Sequence, residues 1–282
     1  MMAKEVTLNN IAFIIVLYKV NIADSCTINS LNGFKLKYGQ KINLIVYDNS
    51  PESQTFYNTD KIDVNTYFHD KDNPGVSKAY NYGAAIAKKR GFKWILLLDQ
   101  DTTFPTDFIN KLLYAINCNP QIKLFAPLLK LKDGTPFSPS RYILKRGHSV
   151  KLQEGILSLK KYAPVNSGMA INIDAFLEVG GYLEKITLDF ADFQFIEIFR
   201  KKYVNFYLFN SIAVQDFSND ETDLKKLETR FSIYCSCGKN CKRDSFIDNI
   251  TYLYPVLRHT FGLSIKTKSL RFFKIAYLSY FK

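Results

Sequence analysis

Asp99 and Asp101 follow directly on the apolar run WILLL at 94–98. In extended chain, residues two apart point to the same side, so both carboxylates leave the end of one strand together. Two such groups at the edge of a low-dielectric core repel each other unless a cation joins them. A hard divalent ion, Mg2+ or Mn2+, takes carboxylate oxygens and keeps positions open for phosphate oxygens. D-x-D alone equally fits a solvated acidic turn, so its neighbours decide. VYDNS at 46–50 ends another apolar run, with Asp48 and Asn49 at its mouth. NPGVSKAYNYG at 73–83 sets Asn73 and Gly75 at a turn that opens a helix, with Lys78 and Asn81 in its first turns. A helix start plus a lysine suits a phosphate or a nucleotide. Each piece alone is an ordinary loop; three polar loops at one sheet edge make a site.

Those loops need a sheet to carry them. The runs at 11–18, 42–48, 64–70, 94–100 and 122–128 are rich in Ile, Val, Leu and aromatics and are broken by polar turns, which reads as strands. Helices are expected over 22–38, 75–90 and 106–116. In the second, Val76, Ala79, Tyr80, Gly83 and Ala87 keep the helical rhythm, and KKRG closes it. Alternation of strand and helix gives an α/β fold with a mostly parallel sheet covered on both faces. Ligands in such sheets bind beyond the carboxyl ends of the strands, where Asp48, Asp99 and Asp101 stand.

The 282-residue chain is 47% hydrophobic, enough to bury a core. No window approaches the roughly 18 apolar residues of a membrane span. IAFIIVLY at 11–18 reads as a buried first strand rather than a signal-peptide core, since Glu5 precedes it. Five cysteines without a convincing export signal suggest reduced thiols and a cytoplasmic protein. Cys235, Cys237 and Cys241 cluster, but C-x-C-x3-C departs from common zinc spacings, and free thiols on a helical segment are expected.

A net charge of +12 calls for a polyanionic partner: nucleic acid, anionic lipid or a phosphorylated substrate. A nucleic-acid binder has no use for D-x-D at a strand end, so none is expected. Residues 258–282 hold six Lys or Arg and no acid, with Leu270, Phe273, Tyr277 and Phe281 on one helical face beside Arg271 and Lys274. That suits a helix on an anionic membrane surface, or one packed on its own domain with a solvated basic edge.

IIVLYK, VYDNS, NPGVSKAYNYGAAIA, ILLLDQDT, VNSGMAINIDAFLEVGGYLE (165–184) and LDFADFQF (188–195) occur in an order that resembles the family 2 glycosyltransferases, rhamnosyltransferase-like branch. The resemblance covers 11–217 and implies the GT-A fold over 1–220, a Rossmann-like mixed, mostly parallel sheet with flanking helices. A C-terminal helical extension of about three helices occupies 221–282. It implies that Asp48 contacts the nucleotide base, that Tyr18 lies near the nucleotide, and that Lys78 is a basic residue close by, with Asn73 on the same loop. Asp99 and Asp101 match the pair that holds the divalent metal and, through it, the diphosphate of the donor. Ser167 and Gly168 match the turn near donor sugar and acceptor. Asp192 matches the catalytic base, with Asp189 its rival. Phe190, Phe193 and Phe195 flank Asp192 in sequence, and burial among them would raise its pKa towards a useful base strength.

The chain departs from the family pattern in three places. Gln194 stands where many relatives carry an acid, and Arg200 lies two places late. Gln215 takes the position of a histidine that in relatives can be a third metal ligand, with Asp216 beside it. The expected activity is inverting transfer of a sugar from a nucleoside diphosphate sugar, with dTDP-rhamnose the candidate donor, to a hydroxyl of a surface-polysaccharide acceptor. The acceptor is expected to be lipid-linked, and the enzyme peripheral on the inner face of the cell membrane. The alternative is a catalytically inactive glycosyltransferase-like binding subunit, which Gln215 keeps open.

Overall fold

The computed structural model describes residues 5–216 and 223–282. The expected apolar runs form the middle of one sheet. β1 (Ile11–Leu17), β2 (Ile42–Asp48), β3 (Ile62–His69) and β4 (Trp94–Leu98) lie parallel. The remaining strands are β5 (Thr102–Thr103), β6 (Leu124–Leu131), β7 (Pro136–Ser138), β8 (Ser140–Ile143), β9 (Arg146–His148), β10 (Gly155–Ser158), β11 (Tyr162–Ala163), β12 (Met169–Asn172) and β13 (Asn205–Gln215). The sheet order is β10-β13-β6-β12-β4-β1-β2-β3, with β5 on β13 and β7 on β6. β12 runs antiparallel to β4 and β6, and β10 antiparallel to β13, so the sheet is mixed but mostly parallel. β11, β8 and β9 form a separate small sheet.

Every residue of β1 is buried. Ala12, Ile14 and Val16 face one core, with Ala79, Ala84 and Phe195. Phe13, Ile15 and Leu17 face the other, with Ile28, Leu31 and Phe108. This is why the run shows no alternation: both faces are covered. The covering helices of the first half are α1 (Cys26–Asn32), α2 (Val76–Lys89) and α3 (Phe108–Cys118); α4 (Ile173–Glu178) and α5 (Ala191–Phe199) follow β12.

The expected helix over 22–38 is shorter and broken. A 3-10 turn spans Ile22–Asp24, α1 begins only at Cys26, and it stops at Asn32. Asn21 caps the turn, and Ser25, in extended conformation, accepts the Ile28 N–H and caps α1. Two successive caps force a bend that continuous helical periodicity does not show.

The C-terminal helices are α6 (Leu224–Asn240), α7 (Phe246–Thr267) and α8 (Arg271–Ala276), followed by a terminal turn, Tyr277–Phe281. Phe231, Cys235, Val256, Leu263, Phe272 and Ala276 form their shared core. Cys237 and Cys241 are buried as well, all as free thiols. Lys268, in left-handed conformation (φ 52°), ends α7, so 258–282 is two helices and a turn rather than one run. Among the described residues no helix is long and apolar enough to cross a membrane. The expected boundary at 220–221 lies outside the described residues, as does Ser218 of the VQDFS turn.

Candidate active site

β4 stops at Leu98, so Asp99 and Asp101 fall in the loop to β5. Thr27 of α1 pins that loop. Its Oγ1 donates to the Asp99 carbonyl (2.6 Å) and accepts the Thr102 N–H (3.0 Å). The Asp99 carboxylate accepts a bond from the buried Tyr80 hydroxyl of α2 (2.8 Å). Burial lifts the Asp99 pKa to about 6 against that bond, and the charge of Asp192 adds to the rise. Asp101 is lifted to about 7, first by burial and then by Asp99.

Gln215, at the end of β13, donates from Nε2 to Asp101 Oδ1 (2.5 Å). Its Oε1 accepts the Thr102 hydroxyl (2.5 Å), so Ser167, 2.6 Å from that same oxygen, must be the donor of the pair. Ser167 is thus tied through Thr102 to the acid pair. The Gly168 N–H donates to the Leu97 carbonyl (2.8 Å), setting the Ser167–Gly168 turn on the end of β4. Gly168 has φ +78°, and a Cβ there would come 2.8 Å from Pro127 Cγ. Asp216 gives its carboxylate to Lys132 (2.6 Å).

The donor set fits a divalent cation. Two carboxylates held above their ordinary pKa by burial and by a neighbouring carboxylate each gain most from a positive charge between them. Asp99 and Asp101 would hold it, with the Gln215 amide at hand. No cluster of three or more His, Cys, Asp or Glu suited to a metal occurs among the described residues.

Asp192 lies in the first turn of α5. Burial lifts it to about 6, opposed by the Phe193 N–H and helped by Asp189. The three phenylalanines near Asp192 in sequence each pack on a tyrosine. Phe195 stacks on Tyr182 (4.5 Å between centroids), Phe190 packs on Tyr234 (4.8 Å), and Phe193 stacks on Tyr142 (4.9 Å). Asp99 and Asp192 both act electrostatically on Tyr80 and Tyr182, so the acid pair and Asp192 share one buried aromatic neighbourhood. Asp189 is engaged elsewhere: both its oxygens accept from the Arg230 guanidinium of α6. Gln194 is buried against the α6–α7 junction, where it accepts the Lys242 N–H (2.6 Å). Arg200 donates to the Leu159 carbonyl (3.4 Å).

An open cleft of about 320 Å³ lies between the loops after β1 and β2, lined by Lys19, Val20, Asn21, Ser50, Glu52 and Gln54 among others. Tyr18, next in the chain to Lys19 of that lining, is half exposed, and its backbone N–H donates to the Gln100 side chain (2.8 Å). Asp48 is fully buried rather than open at the strand mouth. Its oxygens accept from the Ser50 N–H (2.9 Å), the Tyr67 hydroxyl (2.8 Å) and Gln54 Nε2 (3.1 Å). Gln54 therefore links Asp48 to the cleft.

The helix start of NPGVSKAYNYG, expected to suit a phosphate, packs in part on the 186–187 loop. The Val76 N–H donates to the Thr187 carbonyl (2.8 Å), and Ser77 Oγ to Ile186 O. Gly75 has φ +94°, and a Cβ there would stand 2.1 Å from Thr187 O, so only glycine allows this contact. Asn81 spends its amide on Tyr182 and Glu184 as a brace. Lys78 is half exposed and pairs with Asp70 (3.4 Å); Asn73 is exposed on the same loop.

A match to the model of the glycosyl transferase family 2 spans residues 25–170, just over half of the sequence. The chain belongs to glycosyl transferase family 2. A curated relative, the dTDP-rhamnosyl transferase RfbF of Shigella flexneri, is 28% identical over 122 residues. That alignment covers 43% of this chain and 41% of the relative, so it spans under half the length of either. The solved structure of GalNAc-T7 with UDP, GalNAc and Mn2+ superposes with a TM-score of 0.55 at 13% identity, over 86% of this chain and 53% of that one. Staphylococcus aureus TarS 1-349 in complex with UDP-GlcNAc gives 0.52 at 12% identity, over 89% of this chain and 72% of that one. These likenesses establish the GT-A fold. The family match ends before Asp192 and Gln215, whose placement here rests on geometry.

Four site residues were missed at the level of sequence: Tyr80, which holds Asp99; Gln54 and Tyr67, which hold Asp48; and Arg230, which holds Asp189. Tyr80 shares its quoted motif with Lys78 and read only as a core position of α2. The others carry no local pattern at all.

Proposed function

We propose that the protein is an inverting, metal-dependent glycosyltransferase that moves a sugar from a nucleoside diphosphate sugar, dTDP-rhamnose, to a hydroxyl of a surface-polysaccharide acceptor. The observation that carries this reading is the buried Asp192, lifted to about 6 and set beside the Asp99–Asp101 pair. A carboxylate of that basicity removes the proton of the acceptor hydroxyl as its oxygen attacks the sugar carbon and the diphosphate departs. Asp189, bound by Arg230, is the weaker candidate. Asp99 and Asp101 would hold Mg2+ or Mn2+, which when bound neutralises the leaving diphosphate. Ser167 and Gly168 position the sugar end. Tyr18, Asn73 and Lys78 would serve the nucleotide end, and Gln54 ties Asp48 to the cleft. The dTDP-rhamnose reading is supported by the RfbF similarity.

The acceptor in this reading is lipid-linked, and the enzyme works in the cytoplasm against the inner face of the cell membrane. The alternative, an inactive binding subunit, draws its support from the Gln215 amide hydrogen on Asp101. Donor turnover by wild type and Asp192→Asn separates the two. The reading expects turnover of a dTDP-sugar that the variant loses while still binding nucleotide. Absence of turnover in both, with nucleotide bound, favours the inactive subunit.

A further inference from the structure

Beyond the tail face already noted, α7 presents a second apolar face that its own fold leaves uncovered. Ile247, Ile250, Tyr254, Leu257, Phe261 and Ile265 are all exposed, Ile250 at 58% and Ile265 at 77%. At 100° per residue they fall within an arc of about 80° that runs the length of a helix roughly 33 Å long. The opposite side of the same helix is the packed one, with Tyr252, Val256 and Leu263 buried. An apolar stripe of this length on a surface helix marks an interaction site.

The rest of the 258–282 segment joins that face. Phe273 sets its ring edge-on to Phe261 (5.1 Å), so the tail and the stripe are continuous. Leu270, Tyr277 and Phe281 are exposed beyond it. Arg258, Lys266, Lys268, Arg271 and Lys274 are exposed in the same stretch, and it contains no acid. Among the described residues, Arg271 is the cation of this group that pairs with a carboxylate, Glu228, at 3.4 Å.

We propose that this surface of α7 and the tail lies on an anionic lipid bilayer, apolar side chains in the headgroup–acyl boundary and cations against lipid phosphates. The inference deepens the membrane reading given above and rests on it. Charge selects the occupant. A second copy packed face to face would set these cations against their own counterparts, whereas anionic lipid neutralises them. The placement also serves the site, because the extension that would bind lipid holds Asp189 through Arg230, three residues from Asp192.

Vesicle flotation tests this directly. The full chain is mixed with vesicles of phosphatidylcholine alone, or of equal parts phosphatidylcholine and phosphatidylglycerol, in low and high salt. Wild type is expected to float with the anionic vesicles, to do so less at high salt, and to stay behind with the neutral ones. Ile250→Ser, Tyr254→Ser and Leu257→Ser together are expected to weaken partitioning at least about tenfold with the unfolding midpoint unchanged. Arg258→Gln, Lys266→Gln and Lys274→Gln, a second and independent variant, should weaken it about fivefold per cation removed. No flotation, equal flotation with neutral vesicles, or flotation unmoved by both variants overturns the proposal. So does a dimer by light scattering that the serine variant abolishes while vesicles stay unbound, which assigns the face to a second copy. The assay needs neither donor nor metal. Lost flotation with nucleotide binding intact sinks this inference and the membrane reading under it but leaves the transferase reading standing, and lost nucleotide binding with flotation intact does the reverse.

Discussion

Burial, more than any single neighbouring charge, sets the basicity of Asp192 at about 6. A base acts in its deprotonated form, so kcat/KM for donor turnover should fall as pH drops below about 6, tenfold per unit. Asp192→Asn should lower kcat about a thousandfold and remove that limb of the pH profile, with nucleotide affinity unchanged. A profile that keeps the limb in the variant assigns it to another group. Tyr80 acts at one remove. Its hydroxyl orients Asp99, so Tyr80→Phe should weaken Mn2+ binding about tenfold, measured calorimetrically in the presence of nucleotide. An unchanged affinity would make that bond a packing detail. Asp48 shows how a residue can be read in the right place with the wrong exposure. Its strand-end position is as expected, but Tyr67 and Gln54, which close over it, announce nothing in the sequence.

At the scale of elements, two contacts align α2 and α5 with the sheet. Gly75 admits the 186–187 loop onto the start of α2, and Gly75→Ala should cost about 3 kcal/mol of stability by urea unfolding, from strain and overlap together. A cost near zero would mean that the loop simply moves. Arg230 of α6 neutralises Asp189 one turn before the base. Arg230→Ala leaves a bare negative charge there, and the pH midpoint of turnover should rise, since a nearby like charge favours protonated Asp192. The sequence displayed β1, β2 and β4 plainly because each is a dense apolar run with nearly every residue buried. It hid the break at Ser25, where side-chain caps override periodicity. It also hid Arg230, whose pairing with Asp189 spans 41 residues and depends on how α6 packs.

For the molecule as a whole, the site is a liability that a ligand relieves. Asp99, Asp101 and Asp192 titrate at about 6, 7 and 6, all above the 3.8 of an unperturbed aspartate. The folded state therefore binds more protons than the unfolded one between those limits. Their contribution to stability is fully present below about pH 4 and is lost as pH rises through about 7. Asp101→Asn should flatten that loss and raise the apo-protein's stability at neutral pH by about 2 kcal/mol, while removing the effect of Mg2+. Destabilisation by this variant at neutral pH would show that the acid pair is not in conflict with the fold.

The central claim is that the loops at the carboxyl end of the sheet bind a nucleoside diphosphate through a metal held by Asp99 and Asp101. Thermal unfolding against dTDP, UDP, GDP and CDP, each with and without Mg2+ or Mn2+, tests it most directly. A ligand at about a hundred times its dissociation constant adds about 2.7 kcal/mol, enough to move the midpoint by several degrees. The expected result is a shift with dTDP that requires the metal and disappears in Asp101→Asn. A midpoint unmoved by every nucleotide, in protein shown to be folded, contradicts the claim.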